Sequence, residues 1–185
     1  METSERIVEA YVRYVKGWAT IPNIKCKGQF EIDLLAIDPV TGRRSHIEVG
    51  VHTRSSFSRL TSKPFSRTAV KERVQAPKQR RTIGFFLERK FGPPEVTEKL
   101  AEYGFDGNNY ERVIVSWGWT GAQAEAALHG VALWDFRRIL KEITAACLGN
   151  TSYLADDTLR TLHLLSLAAE QGWGGPHLEG DQHDA

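Results

Sequence analysis

The chain has 185 residues, of which 41% are hydrophobic and 25% are charged, a composition typical of a soluble globular domain with a sizeable core. It contains no apolar run of about 18 residues, so it predicts no membrane span, and its polar first residues do not resemble a signal peptide. Cys26 and Cys147 are far apart and form no CxxC motif, which argues against a disulfide framework or a structural zinc site. A reducing, cytoplasmic environment is therefore expected.

The net charge of +1 conceals a strong asymmetry along the chain. Residues 1–92 carry a net charge of +9, whereas residues 93–185 carry −8. Positive charge is densest between Arg54 and Arg81, where Glu72 is the lone acid. Such a stretch suits a polyanion, although a solvated basic loop and helix is the alternative. The side chains that we expect to contact nucleic-acid phosphates are Arg54, Arg59, Lys63, Arg67, Lys71 and Arg73.

The first predicted elements are a helix and three strands. Apolar residues at helical spacing predict a helix over residues 5–16. Residues 18–22 predict a short strand, which Pro22 restricts to the edge or end of a sheet. Strands at about residues 29–38 and 45–52 are joined by a turn rich in Pro, Gly and Arg and predict a hairpin.

The rest of the chain alternates between helices and strands. Residues 82–87 form an apolar run whose periodicity leaves open a strand or another buried segment. Further helices are predicted at about residues 68–75, 94–103, 123–129 and 136–148, and further strands at 112–117 and 131–134. This order predicts an α/β architecture with a central mixed β-sheet flanked by helices.

The two hairpin strands each carry an acidic residue inside an apolar run. Asp33 lies in the first strand and Glu48 in the second. An unpaired carboxylate is costly to bury in a strand, but two on adjacent strands can share a hard divalent cation such as Mg²⁺ or Mn²⁺. The alternative is that both acids face water or pair with arginines. Glu31 shares the face of Asp33 and is a candidate for a further ligand or a supporting group.

These residues resemble a known motif. An Asp followed after a spacer by Glu-X-Lys is the pattern of the PD-(D/E)XK nuclease superfamily, and Glu31–Ala36 with Ile47–Val49 carry the resemblance here. Residues 112–143 look like the closing βαβα unit of Mrr-like restriction endonuclease domains. The resemblance implies a restriction endonuclease-like core over residues 1–148 and a Mg²⁺- or Mn²⁺-dependent DNA endonuclease that hydrolyses phosphodiester bonds.

The resemblance also implies roles for individual residues. Glu9, Asp33 and Glu48, with the main-chain carbonyl of Val49, would hold the metal. The lysine of the family falls on Gly50, which can neither orient water nor offset charge. The residues that we expect to replace it are His52, which shares the face of Glu48, or a side chain of the following helix, namely Lys71, Gln75 or Lys78.

Two other functions stay open at this stage. The substitution at Gly50 is also compatible with a catalytically inactive nuclease-fold module that binds nucleic acid or a partner protein. An interaction protein that dimerises through residues 156–172 is the third reading, because this amphipathic helix either packs on the domain or contacts a second copy. Residues 149–185 are expected to form this helix and a poorly ordered tail. DNA, a homodimer partner and a larger defence or repair complex are the expected partners.

Aromatic residues accompany the basic stretch. Phe57 and Phe65 interleave with its charges, where they either stack on unpaired bases or anchor the loop. Trp117, Trp119 and Trp134 lie on or beside predicted strands, so core packing explains them better.

Overall fold

The computed structural model of this chain describes residues 2–51, 59–66, 80–107, 109–149 and 154–170. Within these ranges the strands are β1 (Ala19–Lys25), β2 (Glu31–Ile37), β3 (Arg44–Val49), β4 (Leu60–Thr61), β5 (Tyr110–Ser116), β6 (Trp119–Thr120) and β7 (Val131–Asp135). The α-helices are α1 (Thr3–Ala10), α2 (Ile83–Phe85), α3 (Pro94–Glu102), α4 (Ala122–Leu128), α5 (Phe136–Leu148) and α6 (Asp157–Glu170). A π-helical segment, Tyr11–Val15, continues α1, and a second one, Phe86–Phe91, continues α2.

Five strands form one mixed sheet in the order β1-β2-β3-β5-β7. β1, β2 and β3 pair antiparallel, whereas β3 pairs parallel with β5 and β5 with β7. β4 and β6 form a separate two-stranded ribbon. The predicted α/β class, with a central mixed sheet flanked by helices, is therefore confirmed.

Alternation along the strands divides the core between the two faces of the sheet. One face buries residues such as Leu34, Ile47 and Val113 in a single cluster with side chains of α1 and α5. On the opposite face, Ile114 belongs to a cluster with Phe86 and Phe91 of the second π-helical segment. Asp33, Leu35, His46 and Glu48 belong to this second face, because Leu35 lies opposite His46 in the ladder.

The structure also shows where the edge strand, two helix caps and the C-terminal helix α6 lie. β1, with Pro22, is at the edge of the sheet as predicted, and Asp135 caps α5 by accepting a hydrogen bond from the Arg137 amide. The apolar run after Arg81 begins a helix, because the Thr82 hydroxyl accepts the Phe85 amide and caps its first turn. Helix α6 packs on the domain through Leu159, which is buried with Ile143 and Cys147.

No helix in the described part of the chain is both long enough and apolar enough to cross a membrane.

We expect Leu159→Ala to destabilise the protein by about 2–4 kcal/mol, because it leaves a cavity between α6 and α5. Leu164 lies on the same helix but is 70% exposed, so Leu164→Ala should change the free energy of unfolding by no more than about 0.5 kcal/mol. Urea denaturation of both variants measures the difference. Equal small effects would show that α6 is not part of the cooperative domain.

Candidate active site

The hairpin of β2 and β3 opens where its two acidic residues lie. The antiparallel ladder ends at the pair Leu34–Ile47, and the next position brings Asp33 opposite Glu48. Side chains replace the main-chain ladder there: Asp33 Oδ2 accepts the Val49 amide at 2.8 Å, and Glu48 Oε1 accepts the Asp33 amide at 3.4 Å. Residues directly opposite in an antiparallel pair share a face, so the two carboxylates converge.

The carboxylates of Asp33 and Glu48 are held by Lys90. Its Nζ lies 3.0 Å from Asp33 Oδ1 and 2.6 Å from Glu48 Oε2. Lys90 belongs to the π-helical segment Phe86–Phe91, and such segments frequently occur at functional sites. Lys90 was not among the predicted site residues, because it lies far along the chain from Glu48 and no fixed spacing relates the two residues.

Gly50 and Phe86 explain why the cation comes from this helix. A Cβ added to Gly50 would lie 2.6 Å from Phe86 Cζ, closer than a real Cβ approaches another atom. The Phe86 ring therefore occupies the space that a side chain at position 50 needs. Lys90 follows Phe86 by one turn, so the same helix blocks the motif position and supplies an ammonium group.

His46 orients the Glu48 side chain through a buried hydrogen bond. It is fully buried, its Nε2 lies 2.8 Å from Glu48 Oε1, and its ring packs edge-on against Phe91 at 4.8 Å. Burial lowers the pKa of His46 to about 3, so the ring is neutral at pH 7 and Nε2–H donates to Glu48. The sequence does contain a signal for this contact, because residues two apart in a strand share a face and His46 precedes Glu48 by two residues.

Burial controls the electrostatics of the site. It raises the pKa of Asp33 to about 7, and the Glu48 charge adds to this effect while Lys90 opposes it. Burial also raises the pKa of Glu48, which is completely inaccessible to solvent. Burial alone would lower the pKa of Lys90, but the charges of Glu48 and Asp33 outweigh it and raise that pKa. Lys90 is thus protonated while it contacts both acids.

The acidic residue of α1 that lines the pocket of these carboxylates is Glu5, whereas the predicted metal ligand was Glu9. Glu9 accepts a hydrogen bond from Thr20 Oγ1 at 3.2 Å and lines a separate cavity of about 160 Å³. Glu5, one helical turn earlier, lines the pocket of Asp33 instead, and burial followed by the Asp33 charge raises its pKa. Glu5 also accepts the Glu2 amide at 2.8 Å in a capping box, so it has a structural role as well.

A pocket of about 580 Å³ opens above the carboxylates. Its floor includes Asp33, Val49 and Lys90, and Glu31 lies on its border, paired with Lys25. Its other lining residues are mainly aromatic or charged: Phe30, Phe65, Phe85, Phe86, Arg80, Arg89, Glu2 and Glu5.

The other predicted site residues are distributed as follows. Arg59 and Lys63 are exposed, but neither lines this pocket. The remaining ones lie outside the described residues: His52, Arg54, Phe57, Arg67, Lys71, Arg73, Gln75 and Lys78. Arg80, at the end of the basic stretch, lines the pocket although it was not among the predicted phosphate contacts.

The donor set at the sheet opening suits one hard cation. Mg²⁺ is commonly bound through one or two carboxylates and keeps several of its waters. In this structure Lys90 Nζ already lies within 3.0 Å of one oxygen of each carboxylate. No group of three or more His, Cys, Asp and Glu side chains in the described ranges is arranged to hold a metal ion. Any cation here would therefore depend on Asp33, Glu48, main-chain oxygen and water.

No protein-family model and no curated protein matches this chain. Among solved structures, the chain is similar to the crystal structure of a protein of unknown function, AF1548. The sequence identity is 14%, and the match covers 91% of this chain and 98% of that one with a TM-score of 0.43. A similarity of this size carries no argument about function.

The pKa of Asp33 predicts how stability depends on pH. Because it is raised to about 7 from the ordinary value of 3.8, the folded state binds more protons than the unfolded state between these pH values. On its own, this shift makes stability fall as pH rises from 4 to 8, whereas the lowered pKa of the buried His46 acts in the opposite direction below pH 6.5. Asp33→Asn removes only the Asp33 titration, so we expect its stability relative to the natural protein to increase by about 1–3 kcal/mol between pH 4 and pH 8.

Urea denaturation in EDTA at pH 4, 6 and 8 checks this expectation, because the difference in unfolding free energy between Asp33→Asn and the natural protein should shift in favour of the variant as pH rises. Asp38→Asn is the matched control, because the Thr41 hydroxyl lowers the pKa of Asp38 and the substitution should not stabilise. A difference in stability between Asp33→Asn and the natural protein that does not change with pH would contradict the electrostatic description.

The close approach of Gly50 and Phe86 predicts a coupled pair of substitutions. Gly50→Ala should destabilise the protein by about 1–3 kcal/mol, because the added methyl group collides with the ring. In Phe86→Leu the same Gly50→Ala change should cost much less. A double-mutant cycle of unfolding free energies measures this coupling, and purely additive effects would rule out the contact.

Proposed function

We propose that this chain is a metal-dependent deoxyribonuclease that hydrolyses phosphodiester bonds on a restriction endonuclease-like core. The observation that carries the proposal is the convergence of Asp33, Glu48 and Lys90 at an open pocket, which Asp33 and Lys90 line and beneath which Glu48 is buried. Two acids on diverging strands and a nearby amine are the side chains that the PD-(D/E)XK resemblance requires. The proposal differs from the motif in one respect: Lys90 takes the part of the lysine missing at Gly50.

Each residue of the site has a separate role in the proposed reaction. Asp33 and Glu48, with the Val49 carbonyl, would hold Mg²⁺ or Mn²⁺, and a bound metal of this kind polarises a phosphoryl oxygen and activates water. His46 holds Glu48 by its Nε2–H donor. Lys90 stays protonated beside the acids, so it acts as a hydrogen-bond donor and positive charge toward water or phosphate rather than as a base.

Binding of the DNA backbone falls to basic residues around the pocket. Arg80 and Arg89 line it, and Arg59 and Lys63 are exposed nearby in sequence. Phosphate contacts of this kind supply affinity that falls with salt, and they carry no sequence specificity. A homodimer and a larger defence or repair complex stay predictions.

One observation favours a second candidate, the catalytically inactive module. Lys90 already pairs with both carboxylates, and a buried ion pair of this kind can serve structure alone. Such a protein would bind DNA in a salt-dependent way without cutting it. The two candidates differ in whether divalent cations and Lys90 change the chemistry or only the stability.

Cleavage of supercoiled plasmid and single-stranded DNA with Mg²⁺, Mn²⁺ or EDTA tests the proposal. We expect metal-dependent cutting that falls at least 100-fold in Asp33→Asn and in Lys90→Ala, since each removes a group at the reacting phosphate. Lys99→Ala is the control, because Lys99 pairs with Glu102 away from the pocket. Binding that survives EDTA without any cutting would instead support the inactive module.

A relocation experiment tests the assignment of Lys90 itself. In the background Lys90→Ala, the pair Gly50→Lys and Phe86→Ala returns a lysine to the motif position and removes the ring that blocks it. We expect at least a tenfold recovery of cleavage over Lys90→Ala alone. Recovery of stability without cleavage, measured by urea denaturation, would show that Lys90 has only a structural role.

A further inference from the structure

We propose that the pocket above the carboxylates binds one unpaired nucleobase, so that the preferred substrate carries an unpaired nucleotide beside the bond that is cut. The inference deepens the proposed function, on which it rests for the position of cleavage. Base binding itself depends only on the walls of the pocket.

The size and lining of the pocket suit a base. A volume of about 580 Å³ is within the range of pockets that take small organic ligands. Phe30, Phe65 and Phe85 are only partly buried although each is a large apolar residue, and all three line the pocket. Partly exposed aromatic side chains that face a polar floor offer stacking surfaces to a nucleobase.

One part of the lining is an arginine–aromatic pair. The Arg89 guanidinium lies 5.3 Å from the centroid of the Phe30 ring. A planar cation held on an aromatic ring by this contact is a stacking surface for bases and a donor to the phosphate that follows. Arg89 directly precedes Lys90 in sequence, so the stack and the catalytic amine come from one segment.

Another part is a row of phenylalanines. The rings of Phe65 and Phe85 lie 5.6 Å apart at 67°, and those of Phe85 and Phe86 lie 5.6 Å apart at 85°. Edge-to-face contacts of this kind fix the orientation of each ring. Since Phe86 is also fixed against Gly50, the row is attached to the strand that carries Glu48.

A tight turn precedes Phe30 in the chain. Gln29 has a positive φ of 66°, which is uncommon for a residue other than glycine, and Gly28 has a φ of 66° as well. The turn is closed by the Cys26 amide, which donates to the Phe30 carbonyl at 2.9 Å.

The chemistry of duplex DNA makes the inference specific. In a duplex, each base is stacked on both faces and paired at its edge, so it cannot stack on a protein side chain without leaving the helix. An aromatic pocket at the reacting phosphate therefore favours single strands, overhangs, flaps or extruded bases over intact duplex.

Fluorescence anisotropy in EDTA tests base binding without cleavage, with a labelled 12-nucleotide thymidine strand and a 12-base-pair duplex. We expect Phe30→Ala to weaken binding of the single strand about tenfold or more and to change duplex binding less than twofold. Phe30→Tyr should keep the affinity, because it keeps the stacking surface. Tyr103→Ala is the control, since Tyr103 is exposed and does not line the pocket.

The outcomes separate this inference from the proposed function. If single-strand binding depends on Phe30 but the protein never cuts DNA, base binding in the pocket is supported and the proposed nuclease activity is contradicted. If the protein cuts DNA in a metal-dependent way but Phe30→Ala leaves its affinity for the single strand unchanged, the nuclease activity is supported and base binding in the pocket is contradicted. Equal loss of single-strand and duplex binding in Phe30→Ala would also overturn it. Thermal unfolding of each variant identifies any loss that comes from misfolding.

Discussion

The site depends on one ionic arrangement: two buried carboxylates, Asp33 and Glu48, are held by the ammonium group of Lys90. Taking such charges out of water costs several kcal/mol each, and removing Lys90 would leave both carboxylates without a positive partner. The sheet must therefore open at this position, the helix after it must return to the opening, and His46 must hold Glu48 from the core side. The ends of β2 and β3 and the second π-helical segment meet at this ionic arrangement.

Gly50 gives this arrangement its particular form. At the sequence level the glycine reads as the loss of a catalytic lysine. In the structure it is the space into which Phe86 packs, and Phe86 and Lys90 lie one turn apart on the same helix. One helix that packs over the carboxylates thus accounts for both residues: its Phe86 requires a glycine at position 50, and its Lys90 supplies the ammonium group. The same helix carries Arg89, so the floor and part of the wall of the pocket come from it.

The strands and helices that local sequence patterns specify could be predicted from the sequence. Apolar runs predicted β2, β3 and β5, and the acid pair stood out because carboxylates seldom occupy strand cores. Sequence reasoning could not find Lys90, because the contact with Glu48 is made by tertiary packing and leaves no periodic signal. It chose Glu9 rather than Glu5 on α1, because one helical turn separates two acids that share a face and only the docking of the helix decides between them. The helix after Thr82 was left open because a short apolar run fits either structure.

The most direct test of the central claim is the binding of Mn²⁺ to the purified protein, measured by calorimetry. The account predicts one Mn²⁺ site in the natural protein, lost in Asp33→Asn and retained in the surface control Lys99→Ala. Mn²⁺ affinity that is absent, or that Asp33→Asn leaves unchanged, would contradict a metal site at these carboxylates and leave the Lys90 pair as a structural feature.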